Sequence, residues 1–252
     1  MTTSRSVATL RPAALGRWLP VVALLAALGL LAGDAFASAR APIAPFEARY
    51  EVRRNGDPLG ESRLHLSPSE GGWRFETRTV GTRGLARVLG VRIEESSRFV
   101  WTRDGRPETR EYRYLQSTGV NRRERGVQVD PQAARILLRD RENTVEAPFV
   151  AGVVDRQLLT LALMQAVAQG QRGDLRLPVA GRRAVETQTW RIGAMAAVPG
   201  LPERRGIVVE RIRDTPDGRH TLLWLDPRPP HAPLRIEQRE DDELLEMRRV
   251  GA

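Results

Sequence analysis

The 252-residue chain contains neither cysteine nor lysine, and it has only three histidines. The absence of cysteine excludes disulfide bonds, thiolate zinc sites, a thiol nucleophile and acylation of a cysteine. Because lysine is absent, all 40 basic residues are arginine. His65, His220 and His231 have none of the spacings typical of a zinc site or a catalytic triad. We therefore expect no metal and no cofactor.

Patterns that indicate catalysis are also scarce. No Gly-x-Ser-x-Gly motif occurs. The adjacent acids Glu94 and Glu95 would point to opposite faces of a strand, so they do not form a pair for glycoside chemistry. His65 lies between two leucines on a predicted strand, where the common alternative to a base is a solvent-facing side chain. We expect a non-catalytic protein.

Residues 1–39 are typical of a secretory signal peptide. Three arginines precede the apolar run 21–31, and the small-residue motifs Ala35-Phe36-Ala37 and Ala37-Ser38-Ala39 follow it. The run is much shorter than the roughly 20 residues that a membrane-spanning helix needs. We predict export to the periplasm by the general secretory route, with cleavage after Ala37 or Ala39. An uncleaved membrane anchor is the alternative.

Positive charge remains in excess after this segment. Residues 40–252 carry 37 arginines and 30 acids. An exported basic protein rarely meets nucleic acid, so we expect no nucleic-acid partner. We expect an anionic envelope surface instead, with peripheral contact to an anionic membrane among the possible forms. The exclusive use of arginine also indicates compositional bias, which weakens charge as a functional signal.

Residues 40–252 read as a single β-rich domain. Apolar and polar residues alternate between Gly, Pro, Asn and Asp turn signals, as half-buried antiparallel strands require. Turn chemistry at Thr215-Pro216-Asp217-Gly218 predicts a hairpin. A short helical turn is expected within 81–90. The predicted strands are 46–53, 59–66, 73–80, 91–101, 108–116, 120–129, 135–141, 182–192, 204–213, 220–225, 233–240 and 244–250.

One helix interrupts the strands. Asp155 is the predicted N-cap, leucines follow from Leu158, and Gly170 supplies the stop. Its apolar residues cover most of the circumference, which predicts packing on more than one side. The predicted fold class is mainly β (α+β): a strongly curved antiparallel sheet of about a dozen strands, half-barrel or barrel, with one main buried helix.

The order of these elements resembles the exported bacterial proteins of domain-of-unknown-function family 3108 (DUF3108). Short stretches carry the resemblance: 46–52 with Gly56 and 59–61, the helix start 155–161, 223–226 and 233–236. The resemblance implies a shape like that of periplasmic lipoprotein carriers, in which a curved sheet and an inner helix form an apolar cleft. The chain departs from the lipid-anchored proteins of that shape, because it has no cysteine to acylate. No catalytic residues follow from it.

Two groups of side chains are candidate binding residues. Aromatic residues share strand faces and are candidates for lining a cleft for an apolar ligand; core packing is the alternative. They are Trp73, Phe75, Phe99, Trp101, Tyr112, Tyr114, Trp190 and Trp224. Arg123 and Arg125 share one face of a strand and are candidates for holding an anionic group by bidentate hydrogen bonds, with a solvated strand face as the alternative.

The leading functional hypothesis is a non-catalytic periplasmic protein that binds or chaperones an apolar or amphiphilic envelope component, such as a lipid or lipoprotein. The alternative is a scaffold or interaction protein of the cell envelope that docks another envelope protein. A hydrolase is the third and least favoured class.

Overall fold

The computed structural model describes residues 41–213 and 218–251. The predicted signal peptide with its cleavage sites lies outside the described residues, and so does most of the predicted turn at 215–218.

One mainly antiparallel sheet of fifteen strands forms the molecule. The strands are β1 (Phe46–Arg54), β2 (Asp57–Ser69), β3 (Gly72–Gly81), β4 (Arg92–Trp101), β5 (Pro107–Thr118), β6 (Asn121–Asp130), β7 (Arg135–Asp140), β8 (Asn143–Pro148), β9 (Val154–Asp155), β10 (Gly173–Ala180), β11 (Val185–Val198), β12 (Leu201–Ile212), β13 (His220–Leu225), β14 (Pro233–Glu240) and β15 (Glu243–Val250). Two helices accompany the sheet, α1 (Gly84–Val88) and α2 (Leu158–Ala168).

The strand order consists of two runs of sequential strands joined by the pairing of β1 with β15. It runs β8 to β1 consecutively, continues from β1 to β15, and then descends to β9. The first and last strands pair antiparallel at the middle, from Arg49 opposite Val250 to Arg54 opposite Leu245. β8 and β9 are the two ends of the order, and the short β9 pairs with β10 in parallel. The sheet therefore does not close by strand pairing.

Twelve strands and both helical segments agree with the sequence prediction, and three strands add to it. β8, β9 and β10 raise the number from about a dozen to fifteen. The prediction missed β8 because it is almost wholly exposed and lacks alternation. β10 carries alternating Leu175, Leu177 and Val179, a signal that was present.

Helix α2 lies at the centre of the main core. Nine of its eleven residues are buried, so it packs on more than one side, as its apolar circumference predicts. One cluster joins it to side chains of β1–β4 and of β9–β13. A second cluster combines β5–β7 with Val153 and Ala180, and a small third one contains Trp224. No helix within residues 41–213 and 218–251 is long and apolar enough to cross a membrane.

Candidate functional site

The eight aromatic candidates lie in three separate clusters. Phe75, Phe99 and Trp190 are buried in the main core, where Trp73 and Trp101 pack against them. Trp101 stands edge-on to Phe99, with ring centres 5.1 Å apart. Tyr112 and Tyr114 belong to the second cluster, and Trp224 belongs to the third. Core packing thus accounts for most of them, and a ligand-binding role for the group stays a prediction.

The two candidate arginines share one face of β6, as the alternation predicts. Both face Asp140 on β7: the Arg125 Nε lies 3.2 Å from its Oδ1, and the Arg123 Nη2 lies 4.0 Å from it. The Arg125 side chain is only 9% exposed. A solvated strand face therefore does not describe Arg125, which is held inside the molecule by a carboxylate.

A third arginine joins them from the start of α2. The guanidinium carbons of Arg125 and Arg156 lie 5.2 and 5.6 Å from the ring centre of Tyr114, within the range of cation–π attraction. The Arg156 Nε lies 3.6 Å from Oε2 of Glu95. Glu95 is the first cause that raises the pKa of Arg156, and its Oε2 also accepts a 2.6 Å hydrogen bond from the Tyr112 hydroxyl.

A fourth arginine, Arg182, enters from the turn between β10 and β11. Arg182 is an exposed residue whose partial desolvation lowers its pKa, and the neighbouring charges of Arg125 and Arg123 lower it further. In the described part of the chain Arg182 makes no ion pair. By contrast, Asp140 pairs with Arg123 and Arg125, and Glu95 pairs with Arg156. We call Arg123, Arg125, Arg156 and Arg182 the arginine site. Four guanidinium groups with two carboxylates leave two positive charges in excess.

A pocket of about 260 Å³ adjoins the arginine site. Six arginines line it: Arg125, Arg139, Arg156, Arg182, Arg211 and Arg219. Apolar walls come from Val127, Leu159, Val179 and Trp190, and no Asp or Glu of the described residues lines it. Arg219 is neutralised by Glu240 at 2.6 Å. Burial lowers the pKa of Arg211, and the charges of Arg213 and Arg219 add to that. This arrangement favours an anionic group with an apolar attachment.

The pocket lies where the two ends of the strand order approach each other. Its lining comes from β5–β7 on one side, from β10–β14 on the other, and from the start of α2. Ala180 and Val185 pack with Ala147 and Phe149 in the second cluster, which joins β10 and β11 to the β8 end. An anion bound here would lie between β5–β7 and β10–β14.

A buried carboxylate, that of Asp155, fixes the start of α2 next to Arg156. Asp155 Oδ1 accepts hydrogen bonds at 2.9 Å from the Ser97 hydroxyl and from the backbone N–H groups of Gln157 and Leu158. Its Oδ2 accepts one at 2.9 Å from the Thr109 hydroxyl. Burial raises the pKa of Asp155 to about 6. The helix begins at Leu158 with Gln157 at the cap position, yet the carboxylate of Asp155 satisfies its first amides, as the sequence predicts.

Comparison with known proteins places the chain in a family. The family described as "Protein of unknown function (DUF3108)" matches residues 49–247. The chain belongs to DUF3108. The resemblance drawn from its short motifs is thereby confirmed.

The DUF3108 chain also shares a fold with a solved structure of low sequence similarity. The crystal structure of a beta-barrel-like protein of domain of unknown function DUF1849 from Brucella abortus aligns with TM-score 0.52 and 11% identity. The alignment covers 82% of this chain and 96% of that one. At this identity the likeness concerns the fold alone. No curated protein matches the chain.

The larger depression on this DUF3108 protein has a different character. It measures about 910 Å³, is lined by charges of both signs on β1–β7, and shares Tyr112, Arg125, Gly126, Val127 and Arg139 with the smaller pocket. His65 lies there, its Nδ1 3.8 Å from the Glu76 carboxylate, with both side chains nearly half exposed. Exposed cross-strand ion pairs such as Arg78–Glu94 surround them. An exposed pair of this kind is ordinary surface electrostatics, so the pocket at the arginine site is the stronger candidate.

Sequence reasoning found part of this site and missed part. It singled out Arg123, Arg125, Tyr112, Tyr114 and Trp190, and the structure brings all five near one another. It missed the other five arginines of the pocket, which come from five separate segments: Arg139, Arg156, Arg182, Arg211 and Arg219. No local pattern marks them, because among 40 arginines no single one stands out.

Proposed function

We propose that this protein is an exported, non-catalytic envelope protein that binds an amphiphilic component, lipid or lipoprotein, through its anionic group. The observation that carries the proposal is the pocket lined by six arginines and by no carboxylate of the described residues. Guanidinium groups recognise phosphate and carboxylate oxygens by paired hydrogen bonds, and their mutual repulsion makes an anionic partner favourable.

The walls and size of the pocket support an amphiphile rather than a free ion. Leu159, Val179 and Trp190 offer apolar contact beside the charges. A volume of about 260 Å³ is below the roughly 300–1,000 Å³ that encloses a drug-sized ligand. The anionic group therefore enters the pocket, while the bulk of the ligand stays outside it.

We also propose that the sheet is a half-barrel wrapped around α2. Neighbouring strands lie about 4.8 Å apart, so β4 and β10, nine positions apart, would be about 43 Å apart in a flat sheet. A helix with its side chains is only about 10–12 Å wide. One core cluster nevertheless contains α2, Phe99 of β4 and Leu177 of β10, which supports strong curvature.

Spin labels at the two ends test this curvature. Because the chain has no cysteine, Val145→Cys on β8 with Arg183→Cys beside β10 gives two defined labels. A flat sheet would separate these strands by about 60 Å. We expect a measured distance of less than about half that value; a distance near the flat one contradicts the half-barrel.

We propose that the protein is located in the periplasm, because its first 39 residues resemble a signal peptide. Their charge, apolar run and small-residue motifs support removal during export to the periplasm. Intact-mass measurement of protein from the envelope fraction of expressing cells is the test. We expect a chain that begins at Ser38 or Arg40; retention of Met1 contradicts it.

Ligand binding is tested at two of the three pocket arginines that make no ion pair within the described residues. The double variant Arg139→Gln, Arg182→Gln removes two of the charges, and Arg103→Gln, on an exposed turn, is the matched control. The probe is a short-chain phosphatidic acid, titrated by calorimetry. We expect about tenfold weaker binding in the double variant and no change in the control. Equal binding by all three proteins contradicts the proposal.

A scaffold protein is the second candidate, favoured by the burial of α2. Nine of its eleven residues are buried, so the protein's own helix occupies the interior that a carrier would offer to an acyl chain. Cross-linking in intact cells separates the two functions. A scaffold yields one reproducible protein adduct and no lipid in native mass spectrometry, whereas a binder of amphiphiles retains lipid.

A further inference from the structure

An exposed apolar patch lies where the chain passes from β3 to β4 and from β5 to β6. Leu85 is 76% exposed, Val88 79%, Leu89 47% and Val120 fully exposed. The first three belong to α1 or follow it, and Val120 lies in the turn between β5 and β6. The backbone N–H of Gly119 donates a 2.7 Å hydrogen bond to the Leu89 carbonyl, which joins the two segments. We call these four residues the apolar tip.

The packing of α1 directs these side chains outward. A Cβ built on Gly81 would lie 2.7 Å from the Cβ of Ala86, so the helix approaches the sheet closely through its alanine. The Val91 N–H donates to the Ala86 carbonyl at 2.9 Å and fixes the end of the segment. No residue of α1 is buried. Helix α1 thus packs its small residue on the sheet and leaves its large apolar residues in water. Packing within the protein does not explain why these exposed residues are apolar.

Unpaired positive charge surrounds the apolar tip. Arg83 and Arg87 lie on or beside α1, and Arg92 begins β4. None of these three forms an ion pair within residues 41–213 and 218–251. Arg122, beyond Val120, pairs with Glu124 at 2.7 Å. The tip therefore combines projecting apolar side chains with three neighbouring arginines that have no ion-pair partner among the described residues.

This combination fits the interface of an anionic bilayer. Apolar side chains enter the boundary between headgroups and acyl chains, while arginines reach the lipid phosphates. A protein partner fits less well, because stable protein interfaces bury about 800 Å² on each side and four side chains at a turn offer less. We propose that the apolar tip inserts into an anionic lipid bilayer and holds the protein at the membrane surface.

Vesicle binding tests the tip directly. The tip variant is Leu85→Ser, Val88→Ser, Val120→Ser; its control, Val145→Ser, Val150→Ser, Met195→Ser, changes three apolar residues that are also exposed. All proteins carry the same N-terminus, verified by intact mass, and the same circular dichroism spectrum. We expect about tenfold weaker binding of the tip variant to vesicles of phosphatidylcholine with phosphatidylglycerol, and wild-type binding of the control.

Two further measurements separate insertion from charge attraction. A single environment-sensitive dye on Val120→Cys should shift its emission to shorter wavelength on these vesicles, while the same dye on Val145→Cys should not. The charge variant Arg83→Gln, Arg87→Gln, Arg92→Gln should lose most of the preference for phosphatidylglycerol over pure phosphatidylcholine and most of the salt dependence. The tip variant should bind the short-chain phosphatidic acid as the wild type does, because none of its three residues lines the pocket, and this keeps the proposal distinct from the pocket ligand.

Three results would overturn the proposal. Equal vesicle binding by the tip variant and the wild type would show that the tip does not insert. An unshifted dye at Val120→Cys on saturated vesicles would show the same. Loss of a wild-type dimer in the tip variant, without any change in vesicle binding, would assign the tip to contact between two copies of the chain.

Discussion

The buried carboxylate of Asp155 accepts hydrogen bonds from the start of α2, and its raised pKa links the stability of the fold to pH. It is fully buried, and its four hydrogen bonds join α2 to Ser97 on β4 and Thr109 on β5. Burial is the largest influence on its pKa and raises it to about 6, although the hydrogen bonds act in the opposite direction. Desolvation of the charge therefore outweighs the contacts that stabilise it.

This pKa makes the stability of the protein depend on pH. In the unfolded chain Asp155 titrates near 3.8, so between that pH and about 6 the folded state binds more protons. The stabilisation from its protonation is complete below the unfolded pKa and is lost as pH rises through about 6. The difference corresponds to about 3 kcal/mol in the free energy of unfolding.

The Asp155→Asn variant should lose this dependence, because asparagine does not titrate and still offers one oxygen to the amides of α2. Urea unfolding at about pH 4 and about pH 7 is the measurement. We expect the wild-type free energy of unfolding to fall more between these values than that of the variant. Equal pH dependence in the two proteins would show that Asp155 titrates normally.

The structure leaves no room for a side chain at Gly60. This glycine pairs with Gly81 across β2 and β3, and a Cβ there would lie 2.1 Å from the carbonyl oxygen of Val80. The contacting atoms belong to the backbone of β3, which cannot move aside as the end of a flexible side chain can. We expect Gly60→Ala to lower the free energy of unfolding by about 2–4 kcal/mol.

Gly193→Ala is the control for this substitution, because its nearest contact, the Val208 carbonyl oxygen at 3.5 Å, is ordinary. It should change stability by less than about 1 kcal/mol. Chemical denaturation of both variants decides the comparison; similar losses in the two would show that close approach at Gly60 is not the cause.

The elements differ in how clearly the sequence marks them. Strands β1–β7 and β11–β15 are predictable because apolar side chains alternate and Gly, Asp or Pro separates them. Helix α2 is predictable because its leucines follow a carboxylate that reaches its first amides. The pocket is not predictable in full, since Arg156 and Arg182 meet Arg125 only after the sheet brings distant segments together.

Helix α2 should contribute more to stability than its length suggests. Leu161 is 0% exposed within the cluster that joins both halves of the sheet. Leu161→Ala should lower the free energy of unfolding by about 2–5 kcal/mol, because a cavity would remain among side chains from many strands. The measurement is the urea midpoint with its slope.

The matched control lies in the other helix. Leu85→Ala on α1 removes the same atoms from a side chain that is 76% exposed. It should leave the midpoint unchanged within about 0.5 kcal/mol. A small loss for Leu161→Ala, comparable to the control, would show that α2 is not essential to the core.

At the scale of the whole molecule, the first and last strands of the described residues, β1 and β15, are neighbours in the middle of the sheet. β1 and β15 pair from Arg49–Val250 to Arg54–Leu245, and the link from β8 to β9 spans the two ends of the order. That link is anchored to β5, since Glu108 accepts a 2.6 Å hydrogen bond from the Gly152 N–H and Val153 accepts one from the Thr109 N–H. If the chain ends were joined and this link were opened, each strand from β10 through β15 and β1 to β8 would pair antiparallel with its neighbour in sequence, and β9 with α2 would precede them.

A circular permutant tests whether the pairing, rather than the chain order, specifies the fold. Opening between Val150 and Ala151, both exposed, and joining residue 252 to residue 41 by a flexible linker should give a protein with native circular dichroism. It should fold faster than the wild type, because β1 and β15 become close in sequence.

A second permutant, opened between Arg141 and Glu142 in the β7–β8 turn, keeps the β8–β9 link. If the second permutant folds and the first does not, the anchored link is itself required to bring the two ends of the sheet together around the arginine pocket.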